Sequence, residues 1–183
     1  MKHREIIKTE EIAVLAVLSA ISSAGRVIFT PLPNVQPSSF VIMMTGMIYG
    51  WKAGGIVGIV TALISNIFMG HGPWTFSQML LWGLMGAGAG LLSPILKKHM
   101  IYRVAYAFVS AFLFGWGMNV LSIFYFFNGF NLEALIISSF YFDLNHALGN
   151  AAFMMISGKR VIHILTRVQK KYGLFIVRIR INA

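Results

Sequence analysis

Residues 12–29 read IAVLAVLSAISSAGRVIF, an apolar stretch in which Arg26 is the only charged side chain. An α-helix needs about 20 predominantly apolar residues to cross the hydrocarbon core of a bilayer. Five further apolar runs follow, at 40–51, 53–69, 76–96, 101–127 and 132–156. The pattern predicts an all-α integral membrane bundle of six transmembrane helices, with residues 1–183 forming a single transmembrane domain.

The amino-acid composition also indicates a membrane protein. Apolar residues make up 57% of the chain, charged residues 11%, and the mean hydropathy is +0.75. A soluble domain carries roughly 25% charged residues. The absence of cysteine excludes disulfides, thiolate metal sites and cysteine nucleophiles. The net charge of +10 would suggest nucleic acid in a soluble protein, but these charges lie between apolar runs and indicate membrane orientation instead.

Lysine and arginine are unevenly distributed among the connecting segments. The links at 30–37, 70–75 and 128–131 contain none. Apart from Arg26, the lysines and arginines lie in the N-terminal stub (1–11), in the basic tail (158–183), or around two other links, at Lys52 after the second run and at Lys97, Lys98 and Arg103 after the fourth. By the positive-inside rule we expect the stub, the tail and both termini to be cytoplasmic, in a multi-pass protein of the plasma membrane.

A second interpretation makes residues 12–24 the core of a signal peptide, with a small-residue cleavage site at 22–24. The segment before this core is long and acidic for a signal peptide, because it carries Glu5, Glu10 and Glu11. These features favour a cytoplasmic stub.

Polar side chains within or beside the apolar runs gather towards the predicted outer side. Polar groups at membrane depth are costly, so those present should face protein or water. Asp143, His146 and Asn150 share one face of the last helix, and the first two are close enough to hydrogen-bond. The candidate substrate-binding residues are Arg26, Asn34, Gln36, Asn66, His71, Trp74, Thr75, Gln78, Trp82, Asn119, Asp143, His146 and Asn150.

Structural alternatives stay open for these side chains. The asparagines could tie helices together by interhelical hydrogen bonds, and Asp143 could form a buried ion pair with Arg26. The tryptophans could belong to the aromatic belts at the membrane interfaces instead of forming flat aromatic walls around a ligand that contains rings. Catalysis has little support, because the histidines form no metal-ligand motif and no Walker A sequence is present. We therefore predict no enzyme activity, no metal and no cofactor of its own.

Small residues mark two helices. Ala16, Ala20 and Ala24 recur every four residues on the first helix, and the run at 76–96 contains several glycines. Such faces let helices approach closely in lipid. Internal packing is favoured for the glycines, whereas the alanines could face either this chain or a partner.

Over nearly the whole chain, these features resemble the substrate-binding S components of energy-coupling factor (ECF) vitamin transporters. The resemblance rests on six short spans, the alanine repeat and the basic cytoplasmic side. A cobalamin or corrinoid subgroup is similar in more detail, at GR (25–26), PLPNVQP (31–37), SN (65–66), GPWT (72–75) and QM (78–79).

The resemblance implies a high-affinity vitamin-binding subunit of an ABC-type importer. It would dock through Ala16, Ala20 and Ala24 on a transmembrane scaffold subunit with two ATPase subunits, which would use the ATP. Links 30–37 and 70–75 would cover the ligand. Alternatives are an S component for a smaller vitamin or precursor, a stand-alone channel or secondary transporter, and an assembly protein without a ligand.

Overall fold

The computed structural model describes residues 8–125 and 131–175, which form seven α-helices and no β-strand. The all-α class is thus confirmed. In chain order the helices are α1 (Thr9–Ile28), α2 (Ser38–Tyr49), α3 (Trp51–Met69), α4 (Trp74–Leu91), α5 (Ser93–Leu96), α6 (Met100–Ser122) and α7 (Leu132–Tyr172). By length and apolar composition, α1, α3 and α6 can each cross a membrane. Six spans and cytoplasmic termini stay predictions.

The short helix α2 is the centre of the bundle. Its 12 residues are buried except for Val41, and it contacts α1, α3, α4 and α7. At 1.5 Å per residue α2 is only about 18 Å long, well short of a bilayer's hydrocarbon core. Because other helices surround it, its ends meet protein instead of lipid.

Glycines allow α2, α3 and α4 to touch through their backbones. A Cβ atom at Gly54 of α3 would overlap the carbonyl of Gly86 and lie 2.5 Å from the Cα atom of Gly46. Close backbone contact of this kind stabilises helix pairs in lipid, where no hydrophobic force drives association. The glycine-rich run of α4 therefore serves internal packing, as the sequence favoured.

Two predicted helix boundaries differ from the structure. The run at 76–96 is divided after Leu91, because Pro94 in the first turn of α5 lacks an N–H group and clashes with the preceding turn. The last helix continues past residue 156 to Tyr172, a length of about 60 Å. It ends at Gly173, whose φ of 59° is the left-handed conformation that commonly terminates helices.

The two ends of the bundle have different chemistry. We call the end that holds Arg26, Asn66 and Asp143 the polar end. At the opposite, basic end the Tyr49 hydroxyl donates to the carbonyl of Leu165 at 3.1 Å, and the Tyr49 ring stacks on Phe175 at 4.8 Å. The predicted tail thus packs under α2 as far as residue 175. Residues 1–7, 126–130 and 176–183 lie outside the described part, and with them most of the stub and the tail's end.

Helix α1 carries its polar residues inside. Ser19, Ser22, Ser23 and Arg26 are buried against the bundle, whereas Ala16, Ala20 and Ala24 are exposed together with Val17 and Ile21. A polar-inside, apolar-outside helix suits a lipid environment. The alanine face, defined as Ala16, Ala20 and Ala24, does not pack against another helix of this chain in the described structure.

Candidate substrate cavity

Arg26 organises a hydrogen-bond network at the polar end. Its Nη1 atom donates to Ser65 Oγ and to Asn66 Oδ1, both at 2.7 Å. The amide of Asn66 in turn donates to Thr75 Oγ1 at 2.9 Å and to Gln78 Oε1 at 2.8 Å. Because these residues belong to α1, α3 and α4, the network fixes three helices relative to one another. Asn66 therefore links helices by hydrogen bonds, which was one of the two roles that the sequence allowed for it.

A second network lies below the first. Trp82 Nε1 donates to Ser39 Oγ at 2.9 Å, and Ser39 Oγ is 2.8 Å from His146 Nε2. The indole of Trp82 lies beneath the Arg26 guanidinium, with 5.0 Å between Cζ and the ring centroid, and stacks on Phe114 at 5.0 Å. The ring of Trp82 is fully buried, so it belongs to the wall's interior and not to a membrane belt.

Asp143 occupies the opposite wall, on α7. Its Oδ2 atom accepts a hydrogen bond from Ser139 Oγ at 2.8 Å, and Ser139 Oγ accepts one from Asn119 Nδ2 at the same distance. The carboxylate fits against Gly115, where a Cβ atom would overlap it. The expected hydrogen bond between Asp143 and His146 does not form, because each side chain turns to a different neighbour.

Between these walls lies a cavity of about 350 Å³, within the range of small-molecule sites. Helices α1, α4, α6 and α7 contribute to it, together with the link after α1 and the end of α3. Its lining residues are Arg26, Phe29, Thr30, Leu32, Pro33, Asn34, Val35, Gln36, Met69, Gln78, Trp82, Phe114, Gly115, Met118, Asn119, Ser139, Phe142 and Asp143.

The link 30–37 is held over this cavity. Asn34 adopts a left-handed φ of 57°, which asparagine tolerates better than most residues, and its Nδ2 atom donates to the carbonyl of Phe142 at 2.9 Å. Val35 packs on Gly149, where a Cβ atom would lie 3.1 Å from Val35 Cγ1. The link therefore rests directly on α7.

The structure divides the thirteen candidate residues into three groups. Seven line the cavity: Arg26, Asn34, Gln36, Gln78, Trp82, Asn119 and Asp143. Four are buried behind its walls. Asn66, Thr75 and His146 hydrogen-bond to residues of other helices, whereas the Asn150 amide donates to the carbonyl of His146 on its own helix. His71 and Trp74 are exposed and lie outside the lining of this cavity, so their contact with a ligand stays a prediction. His71 instead contacts Thr75, and Trp74 folds over Gly72.

Sequence reasoning missed the apolar part of the wall. Gly115 precedes Asn119 by four positions, so the two share one side of α6, and that spacing could have found Gly115 once Asn119 was selected. Phe114 and Met118 lie four positions apart on a neighbouring side of the same helix. Nothing in the sequence distinguishes Phe114 and Met118 from the lipid-facing residues of α6.

A larger space of about 580 Å³ lies near the basic end, but all its lining residues come from α7, so it is a surface groove. Within residues 8–125 and 131–175, no cluster of histidine or acidic side chains could hold a metal ion. The cavity at the polar end is lined by two buried charged side chains, Arg26 and Asp143, and by the aromatic rings of Trp82 and Phe114.

Comparison with known proteins gives one family. The model for the substrate-specific component of ECF transporters matches residues 10–168, most of the chain. Searches of curated proteins and of solved structures produced no match.

Proposed function

This chain belongs to the family of ECF transporter substrate-specific components, and on that premise we propose that its polar-end cavity binds a vitamin or vitamin precursor with high affinity. Members of the family are membrane-embedded transporter subunits, not enzymes, and work with scaffold and ATPase partners. The observation that carries the proposal is the 350 Å³ cavity, because it combines buried charged groups with an aromatic wall.

The cavity size bears on the identity of the vitamin. The resemblance at residues 31–37 and 72–75 pointed to cobalamin or a related corrinoid. A corrinoid with its nucleotide is much larger than 350 Å³, and the link 30–37 already rests on α7 through Asn34. We therefore favour the smaller alternative, a vitamin or precursor of one or two rings. Cobalamin would require the link to move away.

The alanine face is the proposed docking surface for the scaffold subunit. Ala16, Ala20 and Ala24 are exposed along one stripe of α1, next to Val17 and Ile21. Alanine lets a partner helix come close enough for backbone contact, which is the main source of helix association in lipid. The two ATPase subunits would use the ATP, and the chain itself would need no cofactor.

Orientation follows from the same proposal. With the positive-inside rule, the basic end faces the cytoplasm and the polar end faces outward. Six spans then place both termini in the cytoplasm of a plasma-membrane protein, and the cavity receives its ligand from outside.

Binding is tested by thermal stabilisation of the purified chain across a panel of water-soluble vitamins that includes cobalamin. A ligand present at 100 times its Kd stabilises the folded state by about 2.7 kcal/mol, which is readily measured. We expect one vitamin of small size to stabilise the protein at micromolar concentration or below. Stabilisation by none of them would contradict a vitamin-binding role.

Docking is tested by Ala20→Trp, with Leu113→Trp as the matched control on the lipid-exposed side of α6. Because Ala20 is exposed, the indole should leave folding and vitamin affinity unchanged. Copurification with the scaffold and ATPase subunits, and ATP-driven uptake, should be lost in Ala20→Trp and kept in the control. Normal uptake by Ala20→Trp would refute the docking face, and uptake without any partner subunit would favour a stand-alone transporter.

A further inference from the structure

Two buried groups of opposite charge line the cavity without pairing with each other. The exposed fraction is 9% for Arg26 and 2% for Asp143. Their hydrogen bonds in the described structure go to neutral side chains, those of Arg26 to Ser65 and Asn66 and that of Asp143 to Ser139. The buried ion pair that the sequence allowed is therefore absent from the described structure.

Arg26 keeps donors available for a ligand. A guanidinium has five N–H groups, and both described hydrogen bonds of Arg26 use Nη1. No described hydrogen bond uses Nη2 or Nε, and Arg26 lines the cavity. Their planar arrangement suits a carboxylate or a phosphate.

Asp143 presents the complementary charge from α7. Ser139 donates to Oδ2, and no described hydrogen bond engages Oδ1. A buried carboxylate with one neutral partner is poorly compensated for its lost hydration. A cationic group in the cavity would restore that compensation, as an opposite charge does in a buried ion pair.

Resting on the proposed function, we infer that the ligand is dipolar, with a carboxylate or phosphate bound at Arg26 and an ammonium or a positively charged ring nitrogen bound at Asp143. One such molecule pairs with the Arg26 guanidinium and the Asp143 carboxylate at the same time. A neutral analogue leaves both charges unpaired, and a singly charged analogue leaves one, so each is rejected by the groups that it fails to satisfy.

The first test compares vitamins and vitamin phosphates that differ in charge. Pyridoxamine phosphate and thiamine monophosphate are dipolar, thiamine is cationic, pantothenate is anionic, and pyridoxine and riboflavin are neutral. We expect a dipolar compound to bind at least about tenfold more tightly than its singly charged or neutral counterpart. Tighter binding of riboflavin, cobalamin or thiamine keeps the proposed function and overturns the dipolar assignment. Binding by none of the compounds overturns both.

The second test changes each charge separately. Arg26→Gln should lower the affinity for thiamine monophosphate at least about tenfold, and so reduce the ratio of that affinity to the affinity for thiamine. Arg26→Lys keeps a positive charge and should restore part of this ratio. Asp143→Asn should reduce the ratio of the affinity for thiamine monophosphate to the affinity for pantothenate, which is anionic and carries no cation. Arg160→Gln and Glu133→Gln, at exposed positions of α7, are the controls and should change nothing. Unaltered preferences in both cavity variants would overturn the inference.

A third measurement needs no ligand. If Asp143 is an uncompensated charge in the empty cavity, Asp143→Asn should raise the thermal midpoint of the unliganded protein, because the amide keeps the shape and removes the charge. Glu133→Gln should leave the midpoint unchanged. A lower midpoint for Asp143→Asn would show that the carboxylate serves packing, and would overturn the inference.

Discussion

Adjacent glycines on α3 allow a sharp test of the packing that positions the cavity. Gly54 faces the backbones of Gly46 on α2 and Gly86 on α4, where a Cβ atom would come within 2.5 Å of Gly46 Cα and 2.7 Å of Gly86 C. Gly55 has room, since its Cβ atom would meet Gly83 O at 3.7 Å and Ala87 Cβ at 3.9 Å. Both glycines lie within α3, so each variant adds one methyl group to the same helix and only its surroundings differ.

The expected magnitudes have opposite signs. Replacing a helical glycine by alanine normally stabilises by roughly 0.5–1 kcal/mol, and Gly55→Ala should show this gain. In Gly54→Ala the methyl group meets backbone that cannot rotate away, so α3 must separate from α2 and α4. Overpacking of this kind costs typically about 1–3 kcal/mol. The free energies of unfolding of the two variants should therefore differ by about 1.5–4 kcal/mol.

The assay is unfolding in detergent micelles, followed by circular dichroism, together with vitamin affinity. Because α3 carries Asn66 and α4 carries Gln78, Gly54→Ala should also weaken ligand binding, and Gly55→Ala should not. Equal stability of the two variants would show that these three helices do not touch through their backbones, and the reasoning would fail.

Three further outcomes are expected. Reporter fusions at His71 and at Asn128, which lies outside the described residues, should be external and one at Lys98 cytoplasmic; a cytoplasmic signal at Asn128 would exclude six spans. Trp82→Phe should lower the free energy of unfolding by about 1–3 kcal/mol, because it removes a donor to the buried Ser39 hydroxyl; unchanged stability in denaturant titration would contradict that bond's importance. Leu174→Ala should cost about 2–5 kcal/mol, since Leu174 is fully buried at the basic end; a loss under 0.5 kcal/mol, measured in the same way, would mean that the tail does not pack there.

Three polar residues that the sequence singled out lie at one cavity. Arg26, Asn119 and Asp143 stood out because polar groups are expensive at membrane depth, and the structure brings all three to one cavity. Phe114 and Met118 could not be found in the same way, because an apolar side chain facing a cavity resembles one facing lipid. Hydrophobicity, which reports burial in soluble proteins, is uninformative when the solvent is hydrocarbon.

Contacts between elements distant in sequence were the least predictable. Asp143 and His146 share a helix face, yet Ser39 on α2 takes the imidazole and Ser139 takes the carboxylate. The spacing of residues along α7 fixes which side chains are neighbours on its surface, but not which partners other helices offer.

Two helix ends have a local cause that the predicted boundaries did not take into account. Pro94 divides the run at 76–96, and Gly173 ends α7. The continuation of α7 through the basic tail was not foreseen, because the hydropathy signal stops near residue 156 whereas the helix does not. Contacts at the basic end, such as Gln169 with the carbonyl of Ile48, support this extension.

The most direct test of the central claim is to fill the cavity. Met118 lines it, and Val120, two residues further along α6, is exposed. For the vitamin that stabilises the wild type most, we compare the Kd of Met118→Trp with that of Val120→Trp, each checked for wild-type circular dichroism. Met118→Trp should weaken binding at least about tenfold and Val120→Trp should not. An unchanged Kd in Met118→Trp would place the vitamin elsewhere and contradict the account.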